Sequence, residues 1–203
     1  YVKDTSQTKP TNYTVKHIVG GEEEYSHTYN GTAWINETNP TIVVEAGSLE
    51  QKTYTGYRFE SMTPSDAEEG KAVKSGTTIV LTYVKDETQT KPTNYTVQHM
   101  VEGETEPRNT DTYEDTAWVN ETDPTIIVKA GTLAEKTYTG YKFSTISPSV
   151  QEGDAVESGK VITLTYVRDN GQTQKTTYTV QHMVEGETGP RNTDTYEDTA
   201  WVN

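Results

Sequence analysis

The sequence predicts a mainly β protein made of small β-rich domains in tandem, each with at most one short helix. Three observations carry this. Threonine supplies 38 of the 203 residues and tyrosine 14, and both types favour strands. No long stretch repeats its apolar residues at helical spacing, whereas several alternate with period two. Finally, Tyr95-Thr-Val-Gln-His-Met-Val101 recurs unchanged at Tyr178 and with two changes at Tyr13, at offsets of 95 − 13 = 82 and 178 − 95 = 83 residues. A unit of about 83 residues buries roughly 60–65% of its unfolded surface, enough for a core of its own. Solenoid repeats, at roughly 20–45 residues, instead need their neighbours.

The repetition divides the chain. Residues 12–93 form one repeat and 94–176 a second. Residues 177–203 open a further, truncated one, and 1–11 are the end of a preceding repeat with its connector. Tyr1-Val-Lys-Asp4 matches Tyr83-Val-Lys-Asp86 and Tyr166-Val-Arg-Asp169, and Trp34-Ile-Asn36 matches Trp118-Val-Asn120 and Trp201-Val-Asn203. The chain therefore reads as a window of a longer tandem array. Residues 178–203 match 95–120 at 25 of 26 positions, Gly189 standing against Glu106, a sign of recent duplication.

Each element of the second repeat has a local reason. In the first strand, Tyr95, Val97, His99 and Val101 share one face by alternation. Turn chemistry occupies residues 102–109, where the first repeat is two residues shorter, marking an exposed loop. A second strand is predicted over 110–117, then a turn to Pro124, then a β-branched strand at Thr125-Ile-Ile-Val-Lys129 matching Thr41-Ile-Val-Val-Glu45. Thr132 and Glu135 stand in capping-box relation, as do Ser48 and Gln51, which predicts one or two helical turns from Leu133 and from Leu49. After Gly140 a strand is expected with Tyr141, Phe143 and Thr145 on one face, then a polar loop over 151–159. The last strand turns Ile162, Leu164 and Tyr166 inward, as Ile79, Leu81 and Tyr83 do in the first repeat. Residues 86–93 and 169–176 read as short polar connectors.

Charge narrows the function. Seventeen basic residues against 31 acidic give a net −14, which argues against nucleic acid as a partner and against docking on an anionic membrane. No acidic cluster has the spacing of a calcium loop, no cysteine is present, and no cofactor or metal is implied. No apolar run approaches the roughly 18–20 residues of a membrane span, so this segment is not expected to insert directly.

The motifs Tyr95-Thr-Val-Gln-His-Met-Val101, Tyr138-Thr-Gly-Tyr-Lys-Phe143 and Ile162-Thr-Leu-Thr-Tyr-Val167 resemble the mucin-binding-protein (MucBP-type) repeats of Gram-positive surface proteins. The repeat length and the near-identity of neighbours are similar to streptococcal high-identity tandem (SHIRT-type) repeats. The resemblance covers the whole chain and implies β-grasp-like domains in a cell-wall-anchored adhesin. Such a protein is extracellular, at the bacterial cell surface, with its anchor outside this segment. It brings no catalytic residues, and no enzyme is expected.

Three sets of side chains merit weighing. His17, His99 and His182 recur, but neither zinc-ligand nor triad partners accompany them, so a strand histidine at the core margin is the expectation. Trp34, Trp118 and Trp201 are either core or inter-domain residues or, beside tyrosines, ligand-binding platforms for glycans. Lys52 and Lys136, with Asn36 and Asn120 beside Glu37 and Glu121, have the residue types of an intramolecular isopeptide bond. Asn-x-Thr triplets at Asn12, Asn30, Asn36, Asn94 and Asn120 are expected by chance in so threonine-rich a chain. The leading expectation is a structural stalk projecting a distal binding region. The alternatives are a multivalent module binding host mucin glycans or matrix, and a subunit of a surface filament.

Overall fold

The computed structural model describes residues 2–202, and every described element is a β-strand. The chain divides into two compact units: unit 1 comprises Tyr1–Lys91 with Trp118–Thr122, and unit 2 comprises Pro92–Ala117 with Asp123–Asn203.

Unit 1 opens with the hairpin β1 (Thr8–Val19) and β2 (Glu22–Trp34). Three further strands come next: β3 (Thr41–Val43), β4 (Tyr57–Thr63) and β5 (Ala72–Lys74). The long β6 (Thr77–Lys85) enters the sheet centre. The sheet order is β2-β1-β6-β4, with β1 and β6 parallel and the outer pairs antiparallel, while β3 and β5 make a separate two-stranded ribbon. Alternation buries Tyr13, Val15, Ile79, Leu81 and Tyr83 together, with Val44 and Ala67 closing the core.

Unit 2 repeats the plan. Its strands are β7 (Thr90–Val101), β8 (Asn109–Trp118), β9 (Thr125–Ile127), β10 (Tyr141–Ser147), β11 (Ala155–Glu157) and β12 (Lys160–Arg168). The order is β10-β12-β7-β8, with a β11-β9 ribbon. Tyr95, Val97, Val101, Ile126, Val128, Ile162, Leu164 and Tyr166 form the core, with the alternation the sequence predicts. His17 and His99, expected at the core margin, lie inside it, each 1% exposed.

Four expectations need correction. The helical turns from Leu49 and Leu133 do not form; a turn ends at each leucine, and residues 50–54 and 134–138 have no regular structure. The reason is that Thr132 has other work. Lys129 N–H donates to the Tyr95 hydroxyl (2.9 Å), Tyr95 donates to Thr132 Oγ1 (2.9 Å), and Thr132 donates back to the Lys129 carbonyl (2.7 Å). A hydroxyl closed into that ring is not an N-cap. The amides a helix would leave open go to Glu152, whose Oε1 accepts from Gly131 at 2.7 Å. In unit 1, Glu69 Oε1 accepts from Leu49 at 3.0 Å, and backbone donors at Gly47 and Leu49 hold its carboxyl below the usual range. Second, the polar loop over 151–159 contains β11, whose Val156 pairs with Ile126 and is buried. Third, β10 shifts register between Phe143 and Thr145, so Ile146 rather than Thr145 packs on the core. A bulge adds one residue and re-aims the side chains beyond it, and here it places the apolar neighbour inside. Fourth, the second half of each connector is strand: β7 begins at Thr90, and β13 (Thr173–His182) at Thr173.

Tyrosine replaces leucine as the core's organiser because its hydroxyl also serves backbone. Residues 129–140 have no ladder of their own. Tyr95 takes the Lys129 amide and Tyr166 the Lys136 amide (2.8 Å), pinning that stretch at two points. Tyr13 and Tyr83 do the same for Glu45 and Lys52.

β13 pairs with β14 (Asn192–Trp201) as an isolated hairpin. Its sequence is nearly that of β7 and β8, yet Tyr178 is 58% exposed where Tyr95 is 0%, and Val180 is 38% exposed where Val97 is 0%. In unit 2, β12 flanks β7 in the sheet, and Ile126, Val128 and Val156 pack in the core with Tyr95 and Val97. Amide exchange is therefore expected to be slower by orders of magnitude at Val97 than at Val180. Equal rates would mean that the neighbour contributes no protection.

Candidate functional site

The three tryptophans close their second strands, and Trp118 and Trp201 share one local arrangement. In unit 1 the indole Nε1–H of Trp118 donates to the Gly56 carbonyl at 3.0 Å, and the Asn120 amide donates to Thr55 O at 2.6 Å. Val119 N–H donates to Gln89 O at 2.9 Å. The Tyr57 ring meets the indole edge-on, centroids 5.4 Å apart, and Lys85 Nζ stands 5.0 Å over it. Gln89 fixes the turn from below: its Oε1 accepts from Gly56 N–H at 2.8 Å, and its Nε2 donates to Asp86 at 3.0 Å. Hydrogen bonds from Thr88, then Gln89, keep the Asp86 carboxyl below its ordinary value.

Unit 2 builds the same seat. Trp201 Nε1–H donates to Gly140 O at 2.9 Å and Val202 N–H to Gln172 O at 3.1 Å. Gly140 N–H donates to Gln172 Oε1 at 2.9 Å. The Tyr141 ring is edge-on to Trp201 at 5.2 Å, and Arg168 lies over the indole at 4.1 Å. A recess of about 260 Å³ is lined by Glu102, Tyr141, Arg168 and Trp201. At Trp34 the indole donates to Asp4 O at 3.1 Å beneath Lys3, and Ile35 N–H donates to Gln7 O at 3.0 Å. All three indoles are half-buried.

Sequence reasoning singled out the tryptophans and missed their partners. The signal was available: Asp4-Thr-Ser-Gln7, Asp86-Glu-Thr-Gln89 and Asp169-Asn-Gly-Gln172 keep only Asp and Gln. Those two residues hold the turn and the strand end that meet at Trp118 and Trp201.

The lysines and asparagines are engaged separately. Lys136 Nζ lies 3.0 Å from Asp111 Oδ2, and Lys52 Nζ stands 3.3 Å over the Tyr25 ring. Asn120 serves Thr55, and Asn36 is exposed in the turn after β2. Among the described residues, no group of three or more His, Asp or Glu side chains is placed to hold a metal ion, and no helix is long and apolar enough to cross a membrane.

The histidines sit among tyrosines. Tyr166 Oη accepts the Lys136 amide at 2.8 Å and pairs with His99 Nδ1 at 2.9 Å. His17 Nδ1 pairs with Tyr54 at 3.0 Å. Burial, then Lys52 for His17 and Lys136 for His99, pushes both imidazoles below their ordinary value; Asp111 opposes this weakly at His99.

No protein-family profile matches the chain, and no curated protein does. Among solved structures, the chain is similar to the type 2 repeat of the mucus binding protein MUB from Lactobacillus reuteri. Identity is 14%, with 78% of this chain and 100% of that one covered, at a TM-score of 0.26. It is also similar to Mub-RV, at 16% identity with 78% and 99% covered and a TM-score of 0.25.

Proposed function

We propose that this chain is a section of the tandem-repeat stalk of a bacterial cell-surface adhesin, outside the cell, holding a distal binding region away from a wall to which the protein is anchored elsewhere. The observation that supports this most is the rebuilding of one β plan twice, with the same core tyrosines and the same tryptophan seat in each unit. A molecule whose repeated side chains are spent on its own backbone is suited to bearing load. The net charge of −14 suits a solvated surface protein and no nucleic acid partner. The reading includes no catalysis. Small-angle scattering on chains of two, four and six repeats is the test. Maximum dimension growing in proportion to repeat number supports a stalk, and growth near the square root of that number, as for a flexible chain, overturns it.

A second reading gives the tryptophans a ligand. The recess beside Trp201, with an arginine, a glutamate and two aromatic rings, has the composition of a sugar-binding surface. Each unit would then bind host mucin glycans weakly and gain by multivalency through Trp34, Trp118 and Trp201. Titrating mucin glycans while monitoring the indole signals of Trp118 and Trp201 decides it; unmoved signals end this reading. An isopeptide bond from Lys52 or Lys136 to Asn36 or Asn120 would require these groups to leave the separate contacts described above, and intact mass tests it, since each such bond releases one ammonia.

A further inference from the structure

The Thr-Gly-Tyr turn of unit 1 is shaped around one occupant. Gly56 has φ +81°, a conformation that favours glycine. A Cβ there would stand 2.9 Å from Trp118 Cζ2 and 2.5 Å from Asn120 Nδ2. Its carbonyl accepts twice, from the Trp118 indole and from Asp86 N–H at 2.8 Å. The missing side chain is therefore demanded both by backbone and by what lies on it.

We propose that the turn at Gly56, with Gln89, is a binding site for the Trp-x-Asn strand end of the next repeat in sequence, and that unit 1 reaches full stability only with that end seated. Three facts support it. Compactness already assigns Trp118–Thr122 to unit 1, although β8 otherwise belongs to unit 2. The seat is rebuilt at Gly140 with Gln172 for Trp201, where Arg168 replaces Lys85 over the indole. Trp34, which has no Thr-Gly-Tyr turn ahead of it in this chain, still finds the Asp-x-x-Gln part at Asp4 and Gln7. The folding unit is thus displaced from the sequence repeat by the length of a hairpin. This holds whether the array serves as spacer or as adhesive, since it rests on the bonds alone.

Glycine substitutions isolate the site. Gly47 has φ +79° with nothing within 4 Å of an added Cβ, so Gly47→Ala reports backbone strain alone in the same unit. Gly56→Ala adds eviction of the occupant. Amide exchange in the full chain is the readout. Gly56→Ala is expected to raise opening at Tyr57 and Asp86 about tenfold or more beyond Gly47→Ala, the factor for one lost buried hydrogen bond and its packing. Trp118→Ala is expected to raise opening at the same amides and at Leu81, with Val97 and Leu164 unchanged. In the Trp118→Ala background the gap between the two glycine variants should shrink. Equal effects of the two alanines, with Tyr57 and Asp86 amides indifferent to Trp118→Ala, would overturn the proposal. If Trp118→Ala disrupts β8 altogether, the glycine pair still decides, because neither glycine lies in that sheet.

Discussion

Tyr166→Ala is expected to destabilise unit 2 by about 3–5 kcal/mol, the range for deleting a large buried aromatic. The ring is 1% exposed and is packed edge-on against Tyr138 at 4.8 Å and Phe143 at 5.9 Å, with His99 stacked at 5.7 Å. A domain of this size holds a total on the order of 5 kcal/mol, so the variant should leave unit 2 largely unfolded at growth temperature. Its methyl signals at Ile162 and Leu164 should collapse while those of Ile79 and Leu81 serve as reference. Tyr166→Phe separates hydroxyl from ring. It strands both the Lys136 amide and His99 Nδ1, and about 1–3 kcal/mol is expected. Tyr83→Phe strands only the Lys52 amide, because His17 uses Tyr54, and should cost less. Finding Tyr166→Phe neutral would remove the hydroxyl from the account of how residues 129–136 are held.

Stability should fall on mild acidification, in a window set by the two buried histidines. Both have folded pKa values below their ordinary 6.5. Between the folded and unfolded values the unfolded chain binds more protons, so stability rises with pH there. The contribution is fully present above about pH 6.5 and is lost as pH falls through the folded value. Tyrosines line the sites, Lys52 faces His17, and Lys136 and Asp111 face His99, so an imidazolium gains no dominant partner. Carboxylates with lowered values, such as Asp86 and Asp169, act lower, below about pH 4. Urea midpoints measured from about pH 8 to pH 5 should decline for the natural chain and stay flat for the His17→Phe/His99→Phe pair. That pair starts lower because its tyrosine partners lose a hydrogen-bond partner. A parallel decline in both proteins would assign the acid response elsewhere.

Periodicity accounts for most of the fold that could be read from sequence. Tyr95, Val97, His99 and Val101 alternate because one face of β7 is covered, and the same holds for Ile162, Leu164 and Tyr166. Tandem construction was legible from the repeated strings. The features that escaped depended on partners distant in the chain. The capping box at Thr132 was a sound local signal, overridden because Tyr95, 37 residues away, reaches its hydroxyl. The bulge in β10 depends on which residue can face Leu164, and alternation alone cannot reveal a skipped count. The seat was half legible: tryptophan drew attention, but Asp and Gln in a polar connector look ordinary until three copies are set side by side.

Each repeat joins a local hairpin to a strand far along the chain. β7 and β12 pair in parallel from Tyr95 and Lys160, so 160 − 95 = 65 residues must be looped before the pair closes. Non-local closure of that kind is slow. In the interval the face of Tyr95 and Val97 lies open, and in an array the nearest matching strand can belong to a neighbour. β6 offers Ile79, Leu81 and Tyr83 where β12 offers Ile162, Leu164 and Tyr166, and residues 95–120 and 178–203 are nearly indistinguishable as acceptors. Swapped pairing between repeats is then a kinetic competitor that near-identity invites. Chain emergence from one end resolves it: each β12 meets its own β7 before the next acceptor exists. Arrays refolded from full denaturation have lost that order and are expected to misassemble in proportion to repeat number.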